Sequence, residues 1–392
     1  MLKVQEYILK YGLQKLQEEF FIQVNDYEDR VVLNYNQIDS QRFHPICDEC
    51  RALILKKSDW SVLARSFDRF YNLGESIDSG LPIGTQRFAS QDEVKYEYFD
   101  ISKAKILQKL DGTLISIYWD GMKWCYSTRK MAFAEGETMF GRPFYAIIES
   151  FSGFKKIKEF LDSDIKNQNF TFVFELTGPE NRVVTPYTAT LMSLIGVRHK
   201  DGDELSFKEL ESIASKMNIG VPESYSVESY ESLLSFVKQF PAMEEGVVLV
   251  LEQPNGSHRR IKCKNPSFVA IAHMRENGGI SPKNVLNLIM TNEQPEYLKY
   301  FPEDQKYFDY IEKVYDSVIL EVEQLSTSYM HLTDQKDFAL AIQAEVKNSI
   351  SLGALFAMRK GSSAKQYFEK LGAKRITEKL NLKEIFQKEF FQ

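Results

Sequence analysis

Cysteine is scarce. Four in 392 residues are too few for a disulfide framework, and Cys47-Asp48-Glu49-Cys50 has no second Cys-x-x-Cys to complete a zinc site. A reducing cytoplasm is the compartment that fits. Long apolar runs are missing too. Residues 1–10 alternate charged and apolar side chains where an export signal needs an apolar core, and no run approaches the ~20 residues that span a bilayer, so no membrane insertion is expected. Positive charge is not in excess: a net charge of −6 excludes an overall electrostatic grip on nucleic acid and confines any polyanion site to local clusters. Long like-charge blocks, repeats and low-complexity segments are also lacking. What remains, 27% charged and 13% aromatic residues, is the composition of a folded chain long enough for two domains.

Apolar spacing predicts a helix over 4–20, then short alternating runs that read as strands over 30–35, 51–56, 61–66, 104–110, 114–119, 123–128, 169–176, 190–197, 246–252 and 259–264. Helices are expected at 141–161, 206–217 and 229–239. The predicted class is α+β on antiparallel sheet. After about residue 265 only helical periodicity continues, over 281–291, 302–325, 335–348, 351–359, 363–371 and 377–390. This predicts an antiparallel-sheet domain over 1–274 and an all-α domain over 275–392, with Asn277-Gly278-Gly279 as the linker.

Within the first domain, Lys109-Leu110-Asp111-Gly112 offers an amine at a strand end, with Asp-Gly read as a tight turn into the strand 114–119. Such an amine is a nucleophile only when burial or neighbouring cations lower its pKa, and that is the expectation for Lys109. Downstream, Glu175 closes the apolar strand Phe172-Val173-Phe174, and Glu244-Glu245-Gly246 precedes another, a place for Mg²⁺ held through water. Lys262 and Lys264 share one strand face by its period of two, so both ammoniums could meet one phosphate. Singly, each feature has a structural explanation as a turn, a salt-bridged strand end or an edge guard. Their order is more specific.

In that order the chain resembles the covalent nucleotidyltransferase superfamily of polynucleotide ligases and capping enzymes. Glu49-Cys50-Arg51-Ala52-Leu53, Arg65-Ser66-Phe67-Asp68-Arg69-Phe70-Tyr71-Asn72-Leu73 and Pro179-x-Asn181-Arg182-Val183-Val184 are similar to the RNA ligase 1 family of T-even-like phages. The resemblance covers residues 30 to 273. It implies an ATP-dependent RNA ligase with Mg²⁺ or Mn²⁺, acting through a lysyl-AMP intermediate on single-stranded RNA or cleaved tRNA ends, as a monomer in RNA repair in the cytoplasm of a phage-infected or bacterial cell. Carried over, Lys109 is the nucleophile, Glu175 contacts the nucleoside, Glu245 positions the metal, and Lys262 and Lys264 stabilise charge on the α-phosphate. Arg51, Arg69, Tyr71 and Arg129 fall at positions that contact the ATP phosphates or support the site; Leu110 and Gly112 adjoin the nucleotide. Arg69 and Arg129 stand where the family generally has lysine, which changes a point charge to a planar fork. DNA ligases and capping enzymes share the core motifs but generally add an OB domain where this chain turns helical. A binding protein that kept the fold without the chemistry is the other rival, and it would not need all five of Lys109, Glu175, Glu245, Lys262 and Lys264.

Overall fold

A computed structural model describes residues 1–75, 81–89, 94–138, 141–254, 256–274, 280–346 and 349–390. The chain divides into two units, Met1–Ala270 and Ile271–Gln392. The expected linker Asn277 to Gly279 lies outside the described residues.

The strands of the first unit are, in chain order, β1 (Ile22–Asp26), β2 (Arg30–Tyr35), β3 (Arg51–Lys56), β4 (Val62–Ala64), β5 (Tyr71–Asn72), β6 (Thr85–Ala89), β7 (Val94–Tyr98), β8 (Lys105–Gln108), β9 (Thr113–Trp119), β10 (Trp124–Thr128), β11 (Phe170–Thr177), β12 (Leu191–His199), β13 (Ser224–Tyr225), β14 (Gly246–Glu252) and β15 (His258–Lys264). They form sheets in the orders β1-β2-β3-β4, β10-β9-β11-β12 and β13-β8-β14-β15-β5, with β6-β7 as a separate hairpin. All pairings are antiparallel except β15 with β5. The fold class is α+β, as expected.

Each large sheet buries one face against helices. Val31, Leu33, Leu53 and Leu55 pack on Val4, Ile8 and Leu16 of the N-terminal helices. Phe172, Phe174 and Leu176 of β11 pack with Ile148, Ile157 and Leu210 from helices Phe144–Ser150, Phe154–Asp162 and Phe207–Met217. Ile106, Leu249 and Ile261 pack on Leu233 and Val237 of helix Tyr230–Lys238. Because side chains alternate along a strand, Glu175, Lys262 and Lys264 fall on the opposite faces. That is where the site lies.

Three expectations for the first unit are corrected. The helix over 4–20 is two, Lys3–Tyr11 and Leu13–Phe20, broken at Gly12 with φ +85°. The segment 141–161 likewise holds two helices, separated at Ser152-Gly153. Residues 109–112 are not a hairpin turn: β8 pairs with β13 and β14 while β9 lies in the sheet with β10 and β11, so Lys109 sits on a crossover between sheets. The Trp119-to-Met122 hairpin does form, with Trp119 opposite Trp124 and both Met122 and Lys123 N–H donating to Asp120 Oδ1 at 2.9 Å.

The second unit is helical among the described residues, with helices Pro282–Met290, Gln294–Tyr300, Gln305–Tyr329, Gln335–Glu345, Ser349–Arg359, Ala364–Lys379 and Leu382–Phe390. Phe308, Ile311, Phe338, Leu355 and Phe368 are buried. The helix expected over 377–390 is interrupted at Leu380-Asn381, where Asn381 adopts φ +51°.

Candidate active site

Lys109 follows β8 directly, and its N–H donates to the Gly246 carbonyl at 2.9 Å, extending the β8-β14 ladder by one residue. Gly246 in turn pairs with Lys264 on β15, and Asn265 N–H donates to the Glu245 carbonyl at 2.9 Å. These ladders bring three side chains together. Glu245 Oε2 accepts from Lys109 Nζ at 2.7 Å and Oε1 lies 2.8 Å from Lys264 Nζ, with the carboxylate side chain only 7% exposed. Gly246 is required where it stands: its φ is +127°, and a Cβ there would meet the Cys263 carbonyl oxygen at 2.2 Å.

The electrostatics differ from the expectation for Lys109. Burial presses its amine down, but Glu245, Glu175 and Asp111 outweigh burial and hold it above its ordinary value. The amine is therefore an ammonium, locked to a carboxylate 136 residues away in sequence. Burial would raise Glu245, yet its two ammonium partners hold it below the ordinary range. Lys262 has the opposite fate from Lys264. Among the described residues it has no ion-pair partner; its ammonium lies 5.0 Å over the Phe70 ring, and burial together with Lys109, Arg51 and Lys264 pushes it down to about 7.

Arg51 reaches the same place through a bulge. The β2-β3 register shifts between Leu33 and Asn34, and Ala52 takes φ +54°, a costly left-handed conformation that re-aims the residue before it. The buried Asn34 side chain braces this turn, accepting from Ala52 N–H at 3.0 Å and donating to the Arg129 carbonyl at 2.7 Å. Arg51, Lys109, Leu110, Glu175 and Val248 line a small cavity of about 80 Å³ together with Phe67, Phe70 and Arg260. Burial, with Arg129 and Arg260 nearby, presses the Arg51 guanidinium down to about 10, and burial and the charge of Glu245 raise Glu175 to about 7 against the pull of Lys109.

Arg69, Tyr71 and Arg129 form an adjoining cluster around Tyr35, a residue sequence reasoning missed. The Arg69 guanidinium sits 4.1 Å and that of Arg129 4.7 Å from the Tyr35 ring centroid. Tyr71 hydroxyl donates to Asp48 and accepts from Phe43 N–H at 2.7 Å. Tyr35 and Asp48 carry no sequence signal; one ends an ordinary alternating strand and the other reads as a turn acid. Two guanidinium nitrogens of this region, Arg51 Nη1 and Arg129 Nε, are buried without a hydrogen-bond partner among the described residues. Buried donors of that kind call for a partner.

Asp111 is tied to backbone. Its Oδ2 accepts from Val184 N–H at 2.7 Å and Thr185 N–H at 2.8 Å, while Thr185 hydroxyl donates to the Met243 carbonyl at 2.7 Å. Asn181 Nδ2 donates to Thr113 Oγ1 at 3.1 Å and the Leu176 carbonyl at 2.7 Å. The Pro179-to-Val184 segment thus ties the lysine turn to the strand that presents Glu245. Gly112 permits a close approach, but to protein: a Cβ there would meet the Leu176 carbonyl oxygen at 2.3 Å. Glu49 is structural, accepting from Lys3 N–H at 3.1 Å and Val4 N–H at 2.8 Å at the start of the first helix.

The profile of the RNA ligase family matches residues 49–268, more than half of the chain and all the residues assembled at Lys109. The chain belongs to that family. A protein of Autographa californica nuclear polyhedrosis virus, named as a bifunctional polynucleotide kinase/RNA ligase, is 29% identical over 315 residues, 77% of this chain and 42% of the relative. The RNA ligase of Rhodothermus phage RM378 is 25% identical over 328 residues, 73% of each chain. The chain therefore spans less than half of the viral relative and about three quarters of the phage one. Among solved structures, an archaeal ATP-dependent RNA ligase aligns with TM-score 0.41 and 12% identity over 79% of this chain and 74% of its own. A Naegleria gruberi RNA ligase variant with AMP and Mn aligns with TM-score 0.35 and 15% identity over 44% and 52%.

Proposed function

We propose that the protein is an ATP-dependent RNA ligase whose nucleophile is Lys109. One observation carries this reading: an amine held at a carboxylate, ringed by cationic side chains of which Lys262, Arg51 Nη1 and Arg129 Nε have no anionic partner among the described residues. A polyphosphate supplies what those donors lack. Once Lys109 has given up its proton, the Nζ lone pair attacks the α-phosphorus of ATP. The bond to the bridging oxygen breaks, and pyrophosphate leaves. AMP then passes to the 5′-phosphate of an RNA end, and a 3′-hydroxyl displaces it to form the phosphodiester.

Arg51, Arg69, Tyr71 and Arg129 would bind the β- and γ-phosphates, while Lys262 and Lys264 would meet charge developing at the α-phosphate. The small cavity beside Leu110 and Glu175 would take the nucleoside. A Mg²⁺ or Mn²⁺ fits here as an ion keeping most of its waters. Glu175 feels the negative charge of Glu245 and Asp111, Asp111 that of Glu245, and no group of three ligands for a bare ion occurs among the described residues. When bound, such an ion neutralises phosphate charge and competes with Lys109 for Glu245. Cleaved tRNA is the substrate we favour, with residues 275–392 engaging it and a monomer sufficing for the reaction. No helix among the described residues is long and apolar enough to cross a membrane.

The direct test is incubation with ATP labelled at the α-phosphate and a divalent metal, followed by denaturing electrophoresis. A label that stays with the protein and is absent in Lys109→Ala is expected; no adduct refutes the reading. Sealing of 5′-phosphorylated RNA should exceed sealing of nicked DNA, and the reverse would make the protein a DNA ligase.

A further inference from the structure

A second cavity, of about 290 Å³, adjoins the first: Phe70 and Arg260 line both. Its acids are all engaged by the protein. Glu204 holds Arg260 in a two-pronged pair, Asp68 accepts from Arg65 and Arg198, Asp48 accepts from Tyr71, and Glu49 accepts from the first helix. Two of its cations are not. Among the described residues Arg69 and Arg87 have no carboxylate partner; Arg69 rests on aromatic faces with one long 3.5 Å contact to the Ser40 carbonyl, and Arg87 lies 5.9 Å over the Phe43 ring. The cavity thus sets the Arg87 guanidinium, without a carboxylate partner among the described residues, beside aromatic walls.

Arg87 comes from the β6-β7 hairpin. In its register Arg87 lies opposite Tyr96 and Thr85 opposite Tyr98, so alternation places Arg87, Tyr96 and Tyr98 on one face. Tyr96 is 38% and Tyr98 56% exposed. The base of the hairpin is anchored: Phe99 N–H donates to the Gly84 carbonyl at 3.0 Å, and Tyr230 hydroxyl donates to the Phe99 carbonyl at 2.7 Å. Gly84 packs so tightly that a Cβ would meet the Tyr230 ring at 2.2 Å. Two exposed rings about 7 Å apart along a strand, beside an unpaired guanidinium, form a stacking platform with a phosphate contact.

We propose that this hairpin face and the cavity behind it hold the RNA strand that bears the 5′-phosphate, with Arg87 taking a backbone phosphate and Tyr96 stacking on a base. The assignment rests on the ligase reading above. It follows from adjacency, because the cavity shares Phe70 and Arg260 with the pocket where the 5′-phosphate must meet AMP. A guanidinium beside exposed aromatic rings matches a single strand better than a duplex, whose bases are not free to stack on side chains.

The test uses the full-length protein, Arg87→Ala and Tyr96→Ala, and a 5′-phosphorylated oligoribonucleotide with a blocked 3′ end. Lysine adenylation, which uses neither side chain, reports the ligase reading; if the wild-type protein fails there, that reading falls independently of this one. Binding of the oligonucleotide should weaken roughly 5- to 150-fold in Tyr96→Ala. In Arg87→Ala the slope of log affinity against log salt should fall by about 0.7, one single-strand phosphate contact. Unchanged binding in both variants, or weakening confined to a 5′-hydroxyl acceptor strand, overturns the assignment. Cross-linking of wild-type protein to a 4-thiouridine oligonucleotide covers the case of a variant that fails to fold. Adducts on β6 or β7 are expected, and adducts confined to other segments refute the proposal.

Discussion

Lys262 should take up a proton when nucleotide binds. Its amine is held at about 7 because it is buried beside Lys109, Arg51 and Lys264, so at pH 8.5 roughly 97% of it is neutral. A phosphate placed against it favours the charged form and returns the group towards its ordinary 10.5, a change worth about 5 kcal/mol that the polyphosphate must supply. Binding at pH 8.5 therefore captures about one proton, whereas at pH 6 about nine tenths of the amine is already charged and little uptake remains. The assay is calorimetric titration with α,β-methylene ATP, which cannot transfer AMP, in buffers of different ionisation enthalpy. The dependence of apparent enthalpy on buffer counts protons directly. The wild-type count at pH 8.5 should exceed that of Lys262→Met by about one. Taking the difference cancels any proton that Lys109 surrenders if a metal draws Glu245 away. Equal counts in the two proteins would refute the reasoning. The same depression has a folding consequence of definite sign. Between pH 7 and about 10.5 the unfolded chain binds this proton and the folded one does not, so Lys262 makes stability rise with pH across that window.

Glu245→Gln removes the counter-ion of two ammoniums and should abolish lysine adenylation while lowering stability by about 3 kcal/mol in urea melts at pH 7. The wild-type contribution is present above the ordinary glutamate range, because Glu245 is depressed, and below the ordinary lysine range, because Lys109 is raised; the deficit should therefore be flat from about pH 5 to pH 10 and close outside it. Asp111→Asn keeps an acceptor for the Val184 and Thr185 N–H groups, whereas Asp111→Ala leaves two donors unmet at roughly 1–3 kcal/mol each. Adenylation should survive the first and fail in the second; equal loss would mean that the charge of Asp111, not its position, matters. Gly246→Ala should eliminate adenylation and lower the melting temperature, since both its φ and the Cys263 carbonyl exclude a Cβ, and retained activity would show that the β14 start can shift freely. Glu204→Ala strands Arg260, whose side chain is 9% exposed, while Arg198 keeps Asp68, and should cost about 3–5 kcal/mol. A melting-temperature loss under about 2 °C would contradict that.

The strands of the first unit were legible because a sheet with one buried face writes its alternation into the sequence: β3 and β14 coincide with the runs 51–56 and 246–252. Pairing was not legible. Local reasoning joined the Lys109 strand to the next one through Asp-Gly, yet β8 hydrogen-bonds to β14, about 140 residues on, because a turn signal reports only local backbone preference. The short edge strand β5 and the β6-β7 hairpin were missed for a related reason: β5 is two residues long, and the hairpin runs carry arginine, lysine and glutamate among too few apolar residues for a clear period.

The site shows where such reasoning stops. Alternation correctly places Lys262 and Lys264 on one face of β15, and from that face alone the two ammoniums are equivalent. They are not equivalent in the fold. Gly246 pairs with Lys264, so Glu245 reaches that lysine and Lys109 together, while Lys262, two residues earlier, lies over an aromatic ring among other cations with only the weaker pull of Glu75 against them. One carboxylate thus raises Lys109, satisfies Lys264 and leaves Lys262 to lose its proton. The charge state of each lysine is set by which strand end lies across from it, a tertiary fact, whereas the sequence pattern sets only which side chains can compete for that carboxylate. An enzyme that needs a neutral Lys109 must then undo the pairing its own fold creates, and any agent that draws Glu245 away acts on the nucleophile and on Lys264 at once.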